Sequence, residues 1–308
     1  MTDTSLSGGA PGLMTFGAAT ADNWSGGDQS SSPPPPPPPP QSSIQVQFLG
    51  SNAEGVQSYN VTSADDGPGS HVMRVLPPTD PAPGVPHNFL YVLPVESELG
   101  STFGDGIGTM QSLDAQNQYN LTIIEPSFAI DPWYADNPDD PNTQYETFMT
   151  DDLEPWVMKN LAVTGHEQNW LIGFSKSGLG AQDLLLKHPD VFTLAASWDF
   201  PAGMDNEDEY GADPADYGTE ANFEANYELT PGFLAFHAAP FMRSNRIWVG
   251  GYNVFGTDVG DYDSLLTSQG IQHTTETPQL MDHRWDSGWV PIALSAMSQD
   301  GAALPATF

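Results

Sequence analysis

Two kinds of hydrophobic pattern divide the chain from residue 44 onward. Alternating apolar and polar residues at Ile44–Phe48 predict a strand with one exposed face. Short segments at Tyr59–Val61 and Val72–Val75 extend this into a predicted antiparallel portion. Continuous apolar runs, which are typical of strands buried on both faces, follow at Asn88–Leu93, Leu121–Ile124, Trp170–Ile172, Phe192–Ser197 and Arg246–Gly251, with a last short strand at Gln272–Glu276.

Helical patterns lie between these strands. They are predicted at Gly104–Ala115, Glu146–Leu161, Leu179–His188, Tyr262–Ser268 and Pro291–Met297, with Pro155 as a possible kink in the second. Residues 201–230 are rich in Asp, Glu and Tyr and are interpreted as an excursion over the sheet edge. Strands that alternate with helices predict an α/β domain over residues 44–308, built on a doubly wound, mostly parallel sheet.

The first 43 residues have a different composition. They are rich in Gly, Ser and Asp, and eight consecutive prolines occupy positions 33–40. We interpret residues 1–43 as a disordered low-complexity tail in which the prolines form a polyproline II rod of roughly 25 Å. Because no basic residues flank the prolines, a role as ligand for a proline-binding module is the less favoured interpretation.

The net charge of the chain excludes some classes of binding partner. The chain has 40 acidic and 7 basic residues, a net charge of -33. Such a surface repels nucleic acid and anionic membrane, so neither is expected as a partner. The sequence contains no cysteine, which excludes disulfides, iron–sulfur clusters, thiolate zinc sites and a cysteine nucleophile. Calcium binding by acidic loops, for instance Asp136–Asp140 or Asp205–Asp216, is the less favoured interpretation, because no EF-hand spacing is present. No metal and no cofactor are predicted.

The compartment stays open at this stage. The N-terminal sequence lacks a basic segment followed by an apolar run, so no Sec signal peptide is predicted, and no stretch approaches the roughly 20 apolar residues that span a bilayer. The charge fits either the cytoplasm of a high-salt organism or export without an N-terminal signal. The oligomeric state is not predicted.

A serine turn between a strand and a helix carries the chemistry. The segment Asn169–Asp190 reads as a strand, the sequence Gly173-Phe174-Ser175-Lys176-Ser177, and then a helix, which is the layout of a nucleophile elbow. The positions two before and two after the serine must be small, because strand and helix nearly touch there. Gly173 and Ser177 both meet this requirement, although Gly is the usual residue at the second position. The alternative role of Ser175 is a helix cap.

A serine nucleophile requires a histidine base and an acid that orients it. Among the histidines after Ser175, His283 is predicted as the base, because it lies in the loop between the last strand and the last helix. Two residues remain candidates for the acid. Asp258 has the expected chain order but follows its strand late, and it could instead cap a helix. Asp199 ends the preceding strand at the same edge of the sheet.

Backbone N–H groups should bind the oxyanion of the reaction intermediate. One is predicted at Lys176, which follows the nucleophile, and the second at Val95 or Glu96, after the Asn88–Leu93 strand. The Lys176 ammonium group could attract an acidic substrate, but we expect a salt bridge to a neighbouring carboxylate.

Several motifs resemble the esterase group of α/β-hydrolases, which includes esterase D, feruloyl esterases and mycolyltransferases. They are NFLYVLP, NLTIIEPSF, YETFMTDDLEPWV, HEQNWLIGFSKSGLGAQDLLLKHPDVF and MDHRWDSGW, between Asn88 and Trp289. The resemblance implies an α/β-hydrolase fold and a Ser-His-Asp triad. The chain departs from the group at Pro94-Val95, where many relatives carry His-Gly, and at Ser177.

Two functions follow as hypotheses. The first is a serine hydrolase that cleaves small or polymeric carboxylic esters through an acyl-enzyme. The second is a catalytically silent domain of the same fold that binds a carbohydrate or polymer through aromatic residues in its loops, namely Trp133, Tyr134, Trp198, Tyr210 and Tyr217.

Overall fold

A twisted nine-stranded sheet organises the part of the chain that the structure describes. The structure is a computed structural model, and it describes residues 44–304 except 213, 252, 277 and 278. The strand order is β1-β2-β3-β5-β4-β6-β7-β8-β9. The strands are β1 Gln45–Ser51, β2 Gln57–Thr62, β3 His71–Leu76, β4 Asn88–Val92, β5 Leu121–Glu125, β6 Asn169–Phe174, β7 Leu194–Trp198, β8 Ile247–Gly250 and β9 His273–Thr275.

The sheet has an antiparallel portion and a parallel portion, as the pattern predicts. Strands β1, β2 and β3 pair antiparallel, and β3 joins β5 antiparallel. From β5 through β4, β6, β7 and β8 to β9 every pairing is parallel. Every residue of β4, β5, β6, β7 and β8 is buried, which explains why these strands are continuous apolar runs.

Helices cover both faces of the sheet. They are α1 Gly106–Ser112, α2 Ala115–Gln118, α3 Tyr145–Thr147, α4 Glu154–Leu161, α5 Ser175–Lys187, α6 Pro214–Tyr217, α7 Glu220–Asn226, α8 Pro231–His237, α9 Gly256–Ser268 and α10 Trp289–Ala303. One apolar cluster joins the sheet to α4, α5, α8 and α9, and a second joins it to α1 and α10. The sheet is therefore the middle of three layers, the arrangement of an α/β-hydrolase fold.

Four helical predictions need correction. The predicted helix 104–115 is two helices, because Asp114 has a left-handed backbone with φ 53°. The predicted helix 146–161 contains a π-helical turn, Phe148–Leu153, just before Pro155. Pro155 has no N–H to close the α-helical bond at that point. Helix α9 starts at Gly256 rather than at residue 262, and α10 extends beyond both predicted ends.

The excursion at residues 201–230 contains helices α6 and α7 rather than extended loops. The predicted tail and its proline rod at residues 1–43 lie outside the described residues, so the boundary at residue 44 stays a prediction. Within residues 44–304, as far as they are described, no helix is long and apolar enough to cross a membrane.

Candidate active site

The carboxyl ends of the parallel strands bring the predicted residues to one edge of the sheet. Strand β6 ends at Phe174 and strand β7 at Trp198, directly before Ser175 and Asp199. Strand β4 is the other neighbour of β6, with Val92 opposite Ile172, so Val95 follows on the same side. Open α/β sheets bind their ligands at this edge.

Ser175 occupies a strained turn. Its backbone has φ 54°, a left-handed conformation that a residue other than glycine adopts at a cost of about 1–3 kcal/mol. The turn forces strand and helix together, because a Cβ on Gly173 would lie 2.4 Å from the Ser177 carbonyl oxygen. The backbone N–H of Ser175 donates to the Asp199 carbonyl oxygen at 3.1 Å. These are the features that an elbow requires.

Ser177 does more than fit the space. Its buried hydroxyl donates to the Phe174 carbonyl oxygen at 2.8 Å and accepts from the Phe174 N–H at 3.1 Å. The departure from glycine therefore adds two contacts that close the turn around Ser175.

His283 pairs with Asp199. The imidazole Nδ1 lies 2.6 Å from Asp199 Oδ2, and the Asp199 side chain is only 1% exposed. The other carboxylate oxygen accepts N–H groups from Asn253 at 3.2 Å and Phe255 at 2.8 Å. The carboxylate is thus fixed on both sides, with its second oxygen directed at the imidazole.

A glycine makes room for this carboxylate. Asp199 itself has a left-handed backbone with φ 47°. A Cβ on Gly251 would lie 2.4 Å from the Asp199 backbone nitrogen, so the strand β8 end must have glycine here. The chain just after β8 therefore lies directly against the Asp199 backbone.

Asp199 stays ionised despite its burial. Burial raises the pKa of its carboxyl, but the hydrogen bond from His283 and the backbone N–H groups of Phe255 and Val254 outweigh it, so that the pKa lies below its ordinary value. An ionised carboxylate next to Nδ1 favours the tautomer whose proton is on Nδ1 and whose Nε2 is free to accept one.

Asp258 has a different hydrogen-bond partner. It is in the first turn of α9, where its carboxylate accepts the Gly203 N–H at 3.3 Å. The N-cap position belongs to Phe255, so the alternative prediction of a capping role is also wrong in detail. Chain position alone favours Asp258, whereas the contacts in the structure join Asp199 to the histidine.

The other histidines after Ser175 lie away from this edge or have their own partners. His188 Nε2 contacts Glu146 Oε1 at 2.6 Å, and His273 Nε2 contacts Asp263 Oδ1 at 3.0 Å. His237 ends helix α8. His283, in contrast, lies 5.0 Å from the ring of Phe174, the neighbour of Ser175.

Aromatic rings surround the imidazole, and sequence reasoning missed them. Phe103 and Phe255 have ring centroids 5.8 Å and 5.9 Å from His283, and Tyr210 packs on Phe255 at 5.0 Å. The Phe103 carbonyl accepts the Trp285 N–H at 3.0 Å, which holds this ring beside the His283 loop. Gly104, next to Phe103, has φ 94° and belongs to the loop before α1 rather than to the predicted helix.

The residues predicted to bind the oxyanion flank the elbow. Val95 is buried and Glu96 precedes a short 3₁₀ turn, Ser97–Leu99. Within the described part of the chain neither residue's N–H has a hydrogen-bond acceptor. Lys176 lies in the first turn of α5, where N–H groups have no partner in the helix. Its ammonium group forms the expected salt bridge, with Asp131 at 2.9 Å.

No metal site competes with this arrangement in the described residues. Within them, no three or more His, Asp or Glu side chains are grouped as a metal would require. The carboxylate of Asp136, in one of the acidic loops, accepts the Thr147 N–H and hydroxyl instead.

Comparison with known proteins supports the resemblance. Residues 125–205 match the family model "Putative esterase", a segment that includes β6, the elbow and Asp199. No curated protein matches the chain. The chain has the α/β-hydrolase fold, as the solved structures below show, and the match over residues 125–205 supports its resemblance to the esterase group.

Three solved structures illustrate the likeness. An S-formylglutathione hydrolase from Agrobacterium tumefaciens is 14% identical with a TM-score of 0.58, over 82% of this chain and 99% of that chain. The S-formylglutathione hydrolase FrmB from Staphylococcus aureus is 16% identical with a TM-score of 0.59, over 82% and 99%. MPT51 (FbpC1) from Mycobacterium tuberculosis is 17% identical with a TM-score of 0.54, over 84% and 98%.

The Ser177 contacts lead to a stability prediction. We expect Ser177→Gly and Ser177→Ala to lower the free energy of unfolding by about 1–2 kcal/mol, because both lose the two hydrogen bonds to Phe174. Urea denaturation measures the change. The matched control is Ser264→Ala, an exposed helical serine whose loss should cost less than about 0.5 kcal/mol. Equal effects at the two positions would contradict a role for Ser177 in the turn.

Proposed function

We propose that the protein is a serine hydrolase that cleaves carboxylic esters through an acyl-enzyme. Ser175 is the nucleophile, His283 the general base and Asp199 the acid that orients the imidazole. The observation that carries this proposal is the contact of 2.6 Å between His283 Nδ1 and a buried, ionised Asp199, beside a serine in a left-handed turn. The match of residues 125–205 to an esterase family supports the same chemistry.

The reaction proceeds in two halves. The Ser175 hydroxyl oxygen attacks the ester carbonyl carbon while its proton passes to His283 Nε2. The resulting imidazolium gives this proton to the leaving alcohol oxygen as the ester C–O bond breaks, and the acyl group stays on Ser175. Water then attacks the acyl-enzyme with the same base, and the acid product leaves. Asp199 stabilises the imidazolium in both halves without accepting its proton.

The tetrahedral intermediates require donors for their negative oxygen. We assign this role to the backbone N–H groups of Lys176 and of Val95 or Glu96. These N–H groups follow the neighbouring strands β4 and β6, and among the described residues they have no hydrogen-bond acceptor that would compete with the oxyanion.

A silent binding domain is a weaker alternative. Of the five aromatic residues predicted to form its binding surface, Trp133, Tyr134, Trp198 and Tyr217 are buried in the core. Only Tyr210 is exposed, at 52%. The prediction of an aromatic binding surface was wrong, because Trp198 is the last residue of β7 and the other three rings are buried in the core.

Variants of Ser175 and Asp199 test the proposed roles of these two residues. In Ser175→Ala we expect a loss on the order of a millionfold in kcat for p-nitrophenyl acetate and butyrate, because the nucleophile is gone. In Asp199→Asn we expect about a 10⁴-fold loss, because the amide no longer fixes the tautomer of His283.

Asp258→Asn is the matched control, since it removes a carboxylate of the same size that caps the Gly203 N–H. We expect its kcat to stay within about twofold of wild type, with a stability loss of about 1 kcal/mol. Full activity of Ser175→Ala would refute the serine mechanism. A larger loss in Asp258→Asn than in Asp199→Asn would return the acid to the position that chain order favours.

The charges around the proposed active site favour some substrates over others. Burial and the nearby carboxylates of Asp258, Glu209 and Asp205 raise the pKa of the exposed Tyr210. The two described cations beside the site are neutralised, Lys176 by Asp131 and Arg284 by Asp286. An anionic substrate therefore approaches a negative surface, whereas a cationic one is attracted and can stack on aromatic rings.

Three acetyl thioesters that differ in the charge of their thiol part test this expectation. They are acetylthiocholine (cationic), S-acetyl-N-acetylcysteamine (neutral) and S-acetylglutathione (anionic). Raising the ionic strength from about 0.01 M to about 1 M shortens the Debye length from about 30 Å to about 3 Å. We expect kcat/KM to fall severalfold for the cation, to rise severalfold for the anion and to stay nearly constant for the neutral compound.

In the variant Asp205→Asn/Glu209→Gln, kcat/KM for the cationic and the anionic thioester should depend less on ionic strength. If the anionic thioester is hydrolysed fastest at low salt, the site is not selective in the direction that its charges predict.

A further inference from the structure

We propose that Asp131 is a positioning residue that holds together the two halves of the oxyanion-binding site. This inference rests on the proposed function, and it concerns a carboxylate outside the Ser175-His283-Asp199 group. Asp131 lies in the loop after β5, and it contacts both segments that supply the oxyanion donors.

The contacts are symmetrical about its carboxylate. Asp131 Oδ1 accepts the backbone N–H of Ser97 at 2.8 Å. Asp131 Oδ2 accepts a hydrogen bond from Lys176 Nζ at 2.9 Å. One side of the carboxylate thus fixes the loop after β4 and the other fixes the first turn of α5.

A second contact from the same segment supports this arrangement. The Tyr134 hydroxyl, which is buried, donates to the Pro94 carbonyl oxygen at 2.7 Å. The Tyr134 ring lies against α5, because a Cβ on Gly180 would be 2.3 Å from its Cδ2 atom. Tyr134 and Asp131 therefore each join the β4 loop to the elbow helix.

The contacts of Asp131 and Tyr134 fix the chain on both sides of the predicted oxyanion donors. Pro94 and Ser97 are held on either side of Val95 and Glu96, whose own N–H groups have no acceptor among the described residues. With both flanking residues fixed, the free N–H groups keep a constant direction relative to Lys176. Donors that are placed before the reaction need not reorganise during it, which is the main source of oxyanion stabilisation.

The Lys176 ammonium group is held for this purpose. Its side chain is 13% exposed, and the ammonium lies 5.5 Å above the buried Trp133 ring. Because the Lys176 backbone N–H is the predicted donor, an anchored side chain restrains the same residue at its other end. Burial raises the pKa of the Asp131 carboxyl, but the hydrogen bonds from Lys176 and Ser97 lower it further, below its ordinary value. The carboxylate of Asp131 consequently stays ionised.

A double-mutant cycle in kcat tests the proposal with p-nitrophenyl butyrate. Asp131→Asn keeps an acceptor for Ser97 but loses the ion pair, and Lys176→Met keeps the backbone donor. We expect about a tenfold loss of kcat in each, since loss of a complete donor costs about 10²–10³-fold. KM should change less than about twofold, and the double variant should be no slower than either single variant.

Two further measurements separate positioning from a general loss of structure. The inhibition constant of a trifluoromethyl ketone, which forms a tetrahedral adduct with the serine, should rise in Asp131→Asn in proportion to the fall in kcat/KM. In Asp131→Asn the acid limb of the pH profile of kcat/KM should lie at the same pH as in the wild type. The matched control is Asp263→Asn, whose carboxylate accepts hydrogen bonds from His273 and Thr275 away from the site. Its kcat should equal that of wild type.

Amide hydrogen exchange provides a readout that needs no turnover. In Asp131→Ala we expect faster exchange at residues 95–97, while residues in β6 keep their protection. Additive effects in the cycle, an effect on KM alone, or unchanged exchange at residues 95–97 would overturn the proposal. If the wild-type protein is inactive but Asp131→Ala shows the expected faster exchange at residues 95–97, the result counts against the proposed function. It would still support the role of Asp131 in holding the loop after β4.

Discussion

The site depends on one backbone contact, the hydrogen bond of 3.1 Å from the Ser175 N–H to the Asp199 carbonyl oxygen. It joins the ends of two neighbouring parallel strands at the two residues that the proposed chemistry needs. Both residues have left-handed backbones, with φ 54° and 47°. Each turn is strained by itself, and the surrounding buried strands hold both. The elbow and the acid are therefore parts of one rigid corner of the sheet.

The electrostatics of this corner differ from those of the surface. A chain with 40 acidic and 7 basic residues has few cations with which to pair a buried carboxylate. Asp199 is instead kept ionised by His283 and by backbone N–H groups. Backbone donors are fixed and buried, so they are screened by salt far less than a surface ion pair.

Sequence reasoning reached the fold and the elbow, but not every contact of the site. The buried strands are continuous apolar runs, and a serine between a strand and a helix is a local pattern, so both could be predicted. The choice between Asp199 and Asp258 could not, because it depends on the contact of Asp199 with His283, which is far away in the sequence. Likewise, Asp131 and Ser97 are far apart in sequence, and so are Phe103 and His283, whose rings contact each other.

The burial of aromatic side chains in polar segments also could not be predicted from the sequence. Trp133 and Tyr217 lie in polar, acidic segments, which suggested exposed loops. In the structure their rings contact each other at 6.0 Å inside the core. Local polarity indicates that a segment has an exposed face, but it does not tell which of its side chains turn inward. Burial of single residues in such segments is decided by long-range packing.

The most direct test of the account is covalent labelling with a fluorophosphonate, followed by mass spectrometry of the peptides. The probe reacts only with a serine whose hydroxyl is activated by a base and whose adduct oxygen is stabilised. We predict a single adduct, on Ser175, in the folded wild-type protein and none in Ser175→Ala. No labelling of folded protein, or an adduct on another serine, would contradict the assignment of Ser175 and His283 as the reacting pair.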